Sequence, residues 1–147
     1  MATQLTKNFS LEELTASATA KAKKIDNTPT PQVKENLEKL CKEVLQPIRD
    51  KYGKAITVTS GYRSPKLNAA VGGVKTSQHV LGQAVDIKCT STSKAYLFNL
   101  IKSMIEKKEI KVGQLIWEYG TKQEPNWIHV SLPYTNVNQI LYLYSKK

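Results

Sequence analysis

Two histidines and one aspartate are the residues of this chain best suited to hold a metal. His79 and Asp86 share the stretch Ser77-Gln78-His79-Val80-Leu81-Gly82-Gln83-Ala84-Val85-Asp86, and the other histidine, His129, stands in Trp127-Ile128-His129-Val130-Ser131. Two imidazoles and a carboxylate suit Zn²⁺ and leave a fourth position for water. Zinc held by such a set keeps enough positive charge to acidify water and to polarise a carbonyl. Local spacing alone does not bring the three together. The set needs tertiary assembly, so it is weaker evidence than a helical His-x-x-x-His pair. Two unrelated histidines in polar surroundings are the competing reading at this point.

The elements that have to position these residues follow from patterning. On regular strands Asp86 shares a face with Ala84 and Lys88, and His129 shares one with Trp127 and Ser131. A turn at Leu81-Gly82 has to fold His79 back beside the strand that carries Asp86, and Gly82 permits one. Ser10-Leu11-Glu12-Glu13 has the form of a capping box, with Phe9 placed as a hydrophobic staple, and opens a short helix from Leu11 to about Thr15. Residues Ala16 to Asn27 read as a loop. Thr30 as N-cap and Pro31 at the first helical position begin a helix. Its apolar face is Val33, Leu37, Leu40, Cys41, Val44, Leu45 and Ile48; it ends near Asp50, and Pro47 kinks or tightens its last turn. Ala55–Ser60 reads as a strand, Lys66–Val71 as a short helix, Gln83–Lys88 as a strand, and Ser93–Glu106 as a second amphipathic helix. Gln114–Tyr119 and Asn126–Leu132 read as a hairpin, and Val137–Tyr144 as a last strand or an edge packed on the core. Helices first, then strands with one inserted helix, favour an α+β fold with a small antiparallel sheet.

The bulk numbers bound the function. At 147 residues the chain is expected to form a single domain, residues 1–147. Hydrophobic content of 40% and charged content of 23% are ordinary for a globular protein. No run approaches the roughly 18 apolar residues of a membrane span, and Met1–Ser10 shows no secretory signal. Synthesis in a cytoplasm is therefore expected. Cys41 and Cys89 lack metal-site spacing and read as buried, reduced thiols. The net charge is +10, almost all of it from lysine, since Arg49 and Arg63 are the only arginines. Such an excess draws a polyanion, either nucleic acid or an anionic bacterial wall; ordinary solvated lysine is the bland alternative. Without arginines or a recognition helix, base reading in nucleic acid is poorly supported.

The combined pattern of Ser77-x-His79-x-x-Gly82-x-Ala84-x-Asp86, Thr59-Ser60-Gly61-Tyr62-Arg63-Ser64 before it and Trp127-Ile128-His129-Val130 after it resembles the M15 family of zinc peptidases. That family includes D-alanyl-D-alanine carboxypeptidases, D,D-dipeptidases and the L-alanyl-D-glutamate endopeptidases used as phage endolysins. The resemblance runs from about Phe9 to Ser131 and looks closest to the short, phage-associated branch. It implies that His79, Asp86 and His129 are zinc ligands. It also implies that Arg63 holds the substrate or its developing negative charge, and that Ser77 and Gln78 line the same site. The fold it implies is the one shared by D-Ala-D-Ala peptidases and the amino-terminal signalling domain of hedgehog proteins.

One position departs from the family. Many members carry a catalytic glutamate three residues before the last histidine, and here that residue is Asn126. An amide is no base. Glu118, on the preceding strand of the hairpin, is the expected replacement; Glu124, in the turn, is the other candidate. Tyr62, Trp117, Tyr119, Trp127 and Tyr134 are candidates for a peptide-binding groove, Trp127 being equally a core residue. The reading is a zinc peptidase acting on peptidoglycan stem peptides after release to the cell wall, with the basic surface concentrating it there. The rivals are a binding module of the same fold that has lost catalysis, and a charge-driven nucleic-acid binder. Patterning does not separate carboxypeptidase from endopeptidase.

Overall fold

The computed structural model describes residues 4–72, 78–134 and 137–144. Two short strands, β1 (Gln4–Thr6) and β2 (Phe9–Ser10), pair antiparallel and lead into α1 (Leu11–Thr15). The capping box at its start is present: Glu13 N donates to Ser10 Oγ at 3.2 Å, and Ser10 N donates to Glu13 Oε1 at 3.0 Å. The stretch expected to be a loop contains a helix, α2 (Ala18–Lys23). Its signal was the Ser17 cap, whose hydroxyl accepts from Ala20 N at 3.1 Å. Alanine has the highest helix propensity and lysine a good one, so the Ala/Lys-rich composition suits a helix once it is capped. Lys24 ends it in a left-handed conformation, φ 55°.

The long apolar-striped helix is interrupted. It runs as α3 (Pro31–Leu40), a π-helical turn at Cys41–Leu45, and α4 (Gln46–Tyr52). Pro47 has no N–H to give to the carbonyl four residues back, and its ring crowds that carbonyl. The wider turn, in which Gln46 N donates to Cys41 O, carries the helix past this conflict. Gly53, at φ 74°, stops α4. The remaining elements are β3 (Thr57–Ser60), α5 (Pro65–Ala70), β4 (Ala84–Lys88), α6 (Lys94–Glu106), β5 (Gln114–Glu118), β6 (Trp127–Ser131) and β7 (Gln139–Leu143).

The main sheet has strand order β3-β4-β6-β5-β7. The expected hairpin is β5–β6, but the sheet is mixed rather than antiparallel, because β7 runs parallel to β5. The cause is where the chain leaves β6. That end lies beside the start of β5, and β7 begins there, with Gln139 opposite Gln114. A strand that starts at the start of its neighbour runs the same way. Alternation of apolar and polar residues carries no information on strand direction.

Strand alternation divides the sheet cleanly. Val85, Ile87, Leu115, Trp117, Ile128 and Val130 are buried in the core with Leu37, Leu40, Val44, Ile48, Phe98 and Ile101 of the helices. Trp117 meets Phe98 edge-on at 5.2 Å, so it is a core residue and no part of a groove. Tyr62 is buried in the same core. Cys41 and Cys89 are buried free thiols, as expected. None of the described helices is long and apolar enough to cross a membrane. The other face of the sheet carries the residues that could do chemistry.

Candidate metal centre

Asp86, His129 and Ile116 lie side by side across β4, β6 and β5, because Asp86 pairs with His129 and His129 pairs with Ile116. Directly paired residues in antiparallel strands project to the same face. Two residues along each strand, Glu118 pairs with Trp127 on that face. The register of three strands thus assembles Asp86, His129, Glu118 and Trp127 from positions far apart in sequence.

His79 reaches the same point from a loop. Residues 78–82 form tight turns in which Gln78 O accepts from Leu81 N at 3.1 Å and from Gln83 N at 2.9 Å. Gly82 holds φ 72°, a left-handed conformation that glycine adopts readily, in the turn expected at Leu81-Gly82. The imidazole is 4% exposed. Its Nδ1 lies 2.7 Å from Gly61 O. A carbonyl only accepts, so this nitrogen carries the proton and the Nε2 lone pair is free to bind a metal.

Among the described residues His79, Asp86 and His129 form a group that could hold a metal ion, their ligand atoms all within 4.8 Å of one another. Asp86 Oδ1 is 3.4 Å from His79 Nε2 and 3.0 Å from His129 Nδ1. Two atoms bonded to one tetrahedral zinc lie roughly 3.3 Å apart, given bonds near 2.0–2.1 Å, so the donor set fits that ion. Burial works against ionisation of Asp86, but the two imidazoles beside it, His129 and His79, outweigh it and hold the carboxyl well below the usual range. The cluster is therefore anionic at its centre, the charge a cation requires.

Glu118 is half-buried. Burial raises its carboxyl above the ordinary glutamate value, the negative charge of Asp86 adds to the rise, and His129 and His79 oppose it. The β5–β6 register puts Glu118 on the sheet face that carries His129. Glu124 is elsewhere: its Oε2 accepts from Lys94 Nζ at 2.8 Å, in the turn against the start of α6. Arg63 follows β3 and its backbone N donates to His79 O at 3.0 Å. Burial lowers the guanidinium's pKa, and the nearby Asp86 carboxylate opposes that shift. Gln78 flanks His79 and directs its Nε2 toward Gln83 Oε1 at 3.5 Å. Trp127 packs edge-on against Tyr119, centroids 5.4 Å apart. Tyr134 lies under Lys39, with the ammonium 5.4 Å from its ring centre. Ser77 lies outside the described residues.

Sequence reasoning missed two contributors. The Gly61 carbonyl orients His79, and a backbone atom leaves no trace in side-chain patterns. Gly61 itself is dictated by space, since a Cβ there would stand 2.2 Å from Leu14 O. The second contributor is Asn27, whose side chain binds the backbone on both sides of Arg63. It lay in the segment read as loop, and nothing local marks its long-range partners.

Comparison with curated proteins finds no match. Residues 7–131 match the family model described as Peptidase M15. The matched span runs from before α1 through β6 and includes every residue of the cluster, so the chain belongs to the peptidase M15 family.

Proposed function

We propose that this protein is a zinc-dependent peptidase that hydrolyses an amide bond in the stem peptides of bacterial peptidoglycan. The observation that carries the proposal is the convergence of His79, Asp86 and His129, with a half-buried Glu118 on the same sheet face. These three residues would hold the zinc, His79 through Nε2, His129 through Nδ1 and Asp86 through its carboxylate. The chemistry a zinc held there would supply is the acidification of water and the polarisation of a carbonyl.

The chain's own groups supply the rest. Glu118 takes a proton from the attacking water and passes it to the departing amine; its raised pKa suits both halves of that transfer. Arg63 pairs with a substrate carboxylate or with the negative charge developing on the carbonyl oxygen. Gln78 and Trp127 line the substrate's path. The Gly61 carbonyl keeps His79 in a single tautomer.

The net charge of +10 favours a bacterial wall rich in anionic polymer as the place of action. A phage lysin, released from the cytoplasm that makes it, fits that charge and the family. The test is metal analysis of the purified protein together with mass spectrometry of digested muropeptides. One zinc per chain and a new amine terminus within the stem peptide are expected. Stoichiometric zinc without cleavage of any muropeptide would overturn the peptidase reading in favour of a binding module.

A further inference from the structure

The loop that carries Arg63 is fastened at almost every backbone group. Tyr62 N donates to Leu14 O at 2.7 Å and Arg63 N donates to His79 O at 3.0 Å. Gly61 O accepts from His79 Nδ1 at 2.7 Å. The two groups that flank Arg63 remain, and one side chain takes both. Asn27 Nδ2 donates to Tyr62 O at 3.0 Å, and Asn27 Oδ1 accepts from Ser64 N at 2.7 Å. The second Nδ2 hydrogen goes to Thr15 O, at 2.8 Å, at the end of α1. Two carbonyls on one side and an N–H on the other leave the amide a single orientation.

Asn27 is itself held in place. Lys24 turns the chain out of α2 in a left-handed conformation. Asp26 Oδ1 then accepts from Thr28 N at 3.0 Å and from Thr28 Oγ1 at 2.6 Å, and Thr30 begins α3 with its hydroxyl on Val33 N. Asn27 projects from between these two local devices, so its amide is presented by rigid backbone.

We propose that Asn27 is a positioning residue for the reaction, setting where the Arg63 guanidinium stands relative to the His79–Asp86–His129 cluster. The inference rests on the peptidase reading above. It assigns Asn27 no contact with substrate; it acts through Arg63, and displacement of a substrate-binding group by about 1 Å costs as much as a hundredfold in rate. Asparagine is specifically required. Aspartate has the same shape and can accept from Ser64 N, but it offers no hydrogen to the two carbonyls and sets a negative charge against them.

The test uses the full chain with zinc and compares Asn27→Asp and Asn27→Ala in two backgrounds, parent and Arg63→Ala. In the parent background each substitution is expected to lower kcat/KM on muropeptides roughly ten- to a hundredfold. In the Arg63→Ala background each is expected to lower it less than about threefold, because the group being positioned is gone. Zinc stoichiometry is expected to stay at the parent's value. Equal losses in both backgrounds, or loss of zinc, would assign Asn27 a merely structural role and overturn the proposal. Hydrogen exchange supplies a readout independent of hydrolysis. The Ser64 amide is expected to exchange at least tenfold faster in Asn27→Ala than in the parent while core amides of β4 and β6 do not change; an unchanged Ser64 amide overturns the proposal. A parent protein that cleaves no muropeptide, with Ser64 exchange still dependent on Asn27, marks failure of the peptidase reading. In that case the same exchange result sustains Asn27's hold on the loop and removes its role in a reaction.

Discussion

Replacing Glu118 with glutamine separates chemistry from stability at one site. Glutamine keeps the shape of the side chain and removes only its ability to carry a proton. A positioned general base contributes about 10²–10⁴ in rate, equivalent to roughly 3–5 kcal/mol of barrier at about 1.4 kcal/mol per tenfold. The structure argues for the upper half of that range. Glu124 is tied to Lys94 in the turn, and Asp86 is held between the two histidines, so neither carboxylate is placed to substitute. Zinc content is expected to match the parent, because Glu118 is outside the ligand cluster.

Stability should move the opposite way. In the metal-free protein burial and the charge of Asp86 raise the Glu118 pKa above its unfolded value. The folded state therefore favours the protonated acid. That advantage is present in full below the unfolded pKa, near 4.3, and disappears as pH rises through the folded value. At pH 7 the parent holds an unfavourable carboxylate, and the neutral Glu118→Gln variant is expected to melt at a higher temperature. Below about pH 4 the two should melt together. Solvent contact at this half-buried group keeps the difference small. The assay is paired: muropeptide hydrolysis by the zinc-loaded enzymes, and thermal melts of the metal-free proteins at both pH values. Hydrolysis within about threefold of the parent would refute Glu118 as the base. A lower melting temperature at pH 7 would refute the electrostatic account of its surroundings.

Removing the metal with a chelator should abolish hydrolysis and lower the melting temperature in a zinc-dependent manner, since a ligand that binds only the folded state stabilises it by mass action. His129→Ala should lower zinc affinity enough to show as sub-stoichiometric metal after dialysis; full retention would remove His129 from the ligand set. Gly61→Ala should cost roughly 1–3 kcal/mol in denaturant unfolding, because its new Cβ meets the Leu14 carbonyl at 2.2 Å and backbone yields less readily than a side-chain tip. Burial pushes the Cys41 thiol up to about 12, so native protein at pH 8 should resist alkylation at Cys41 and react there only after unfolding, as read by peptide mass mapping. Glu124→Gln should leave kcat/KM within about twofold of the parent, and a loss as large as that of Glu118→Gln would exchange their roles.

The sequence determined by itself what depends on neighbours along the chain. Ser10 and Glu13 announce the first helix by reciprocal capping, and Thr30 with Pro31 opens the third. Gly82 marks the left-handed turn that brings His79 back. Alternation along β4 and β6 puts Asp86 and His129 on faces opposite their apolar neighbours. The residue types that could bind zinc were legible for the same reason, since ligand chemistry belongs to the side chain. Tertiary structure decided everything that depends on register and direction. Pairing of Asp86 with His129, and of Glu118 with Trp127, fixes who stands beside whom, and a one-residue slip would turn those side chains away. The same holds for the parallel course of β7, the placing of Glu118 on the sheet face that carries the cluster, and the grip of Asn27 on the arginine loop. Each is settled by contacts between segments that are remote in sequence, where the chain's local preferences are silent.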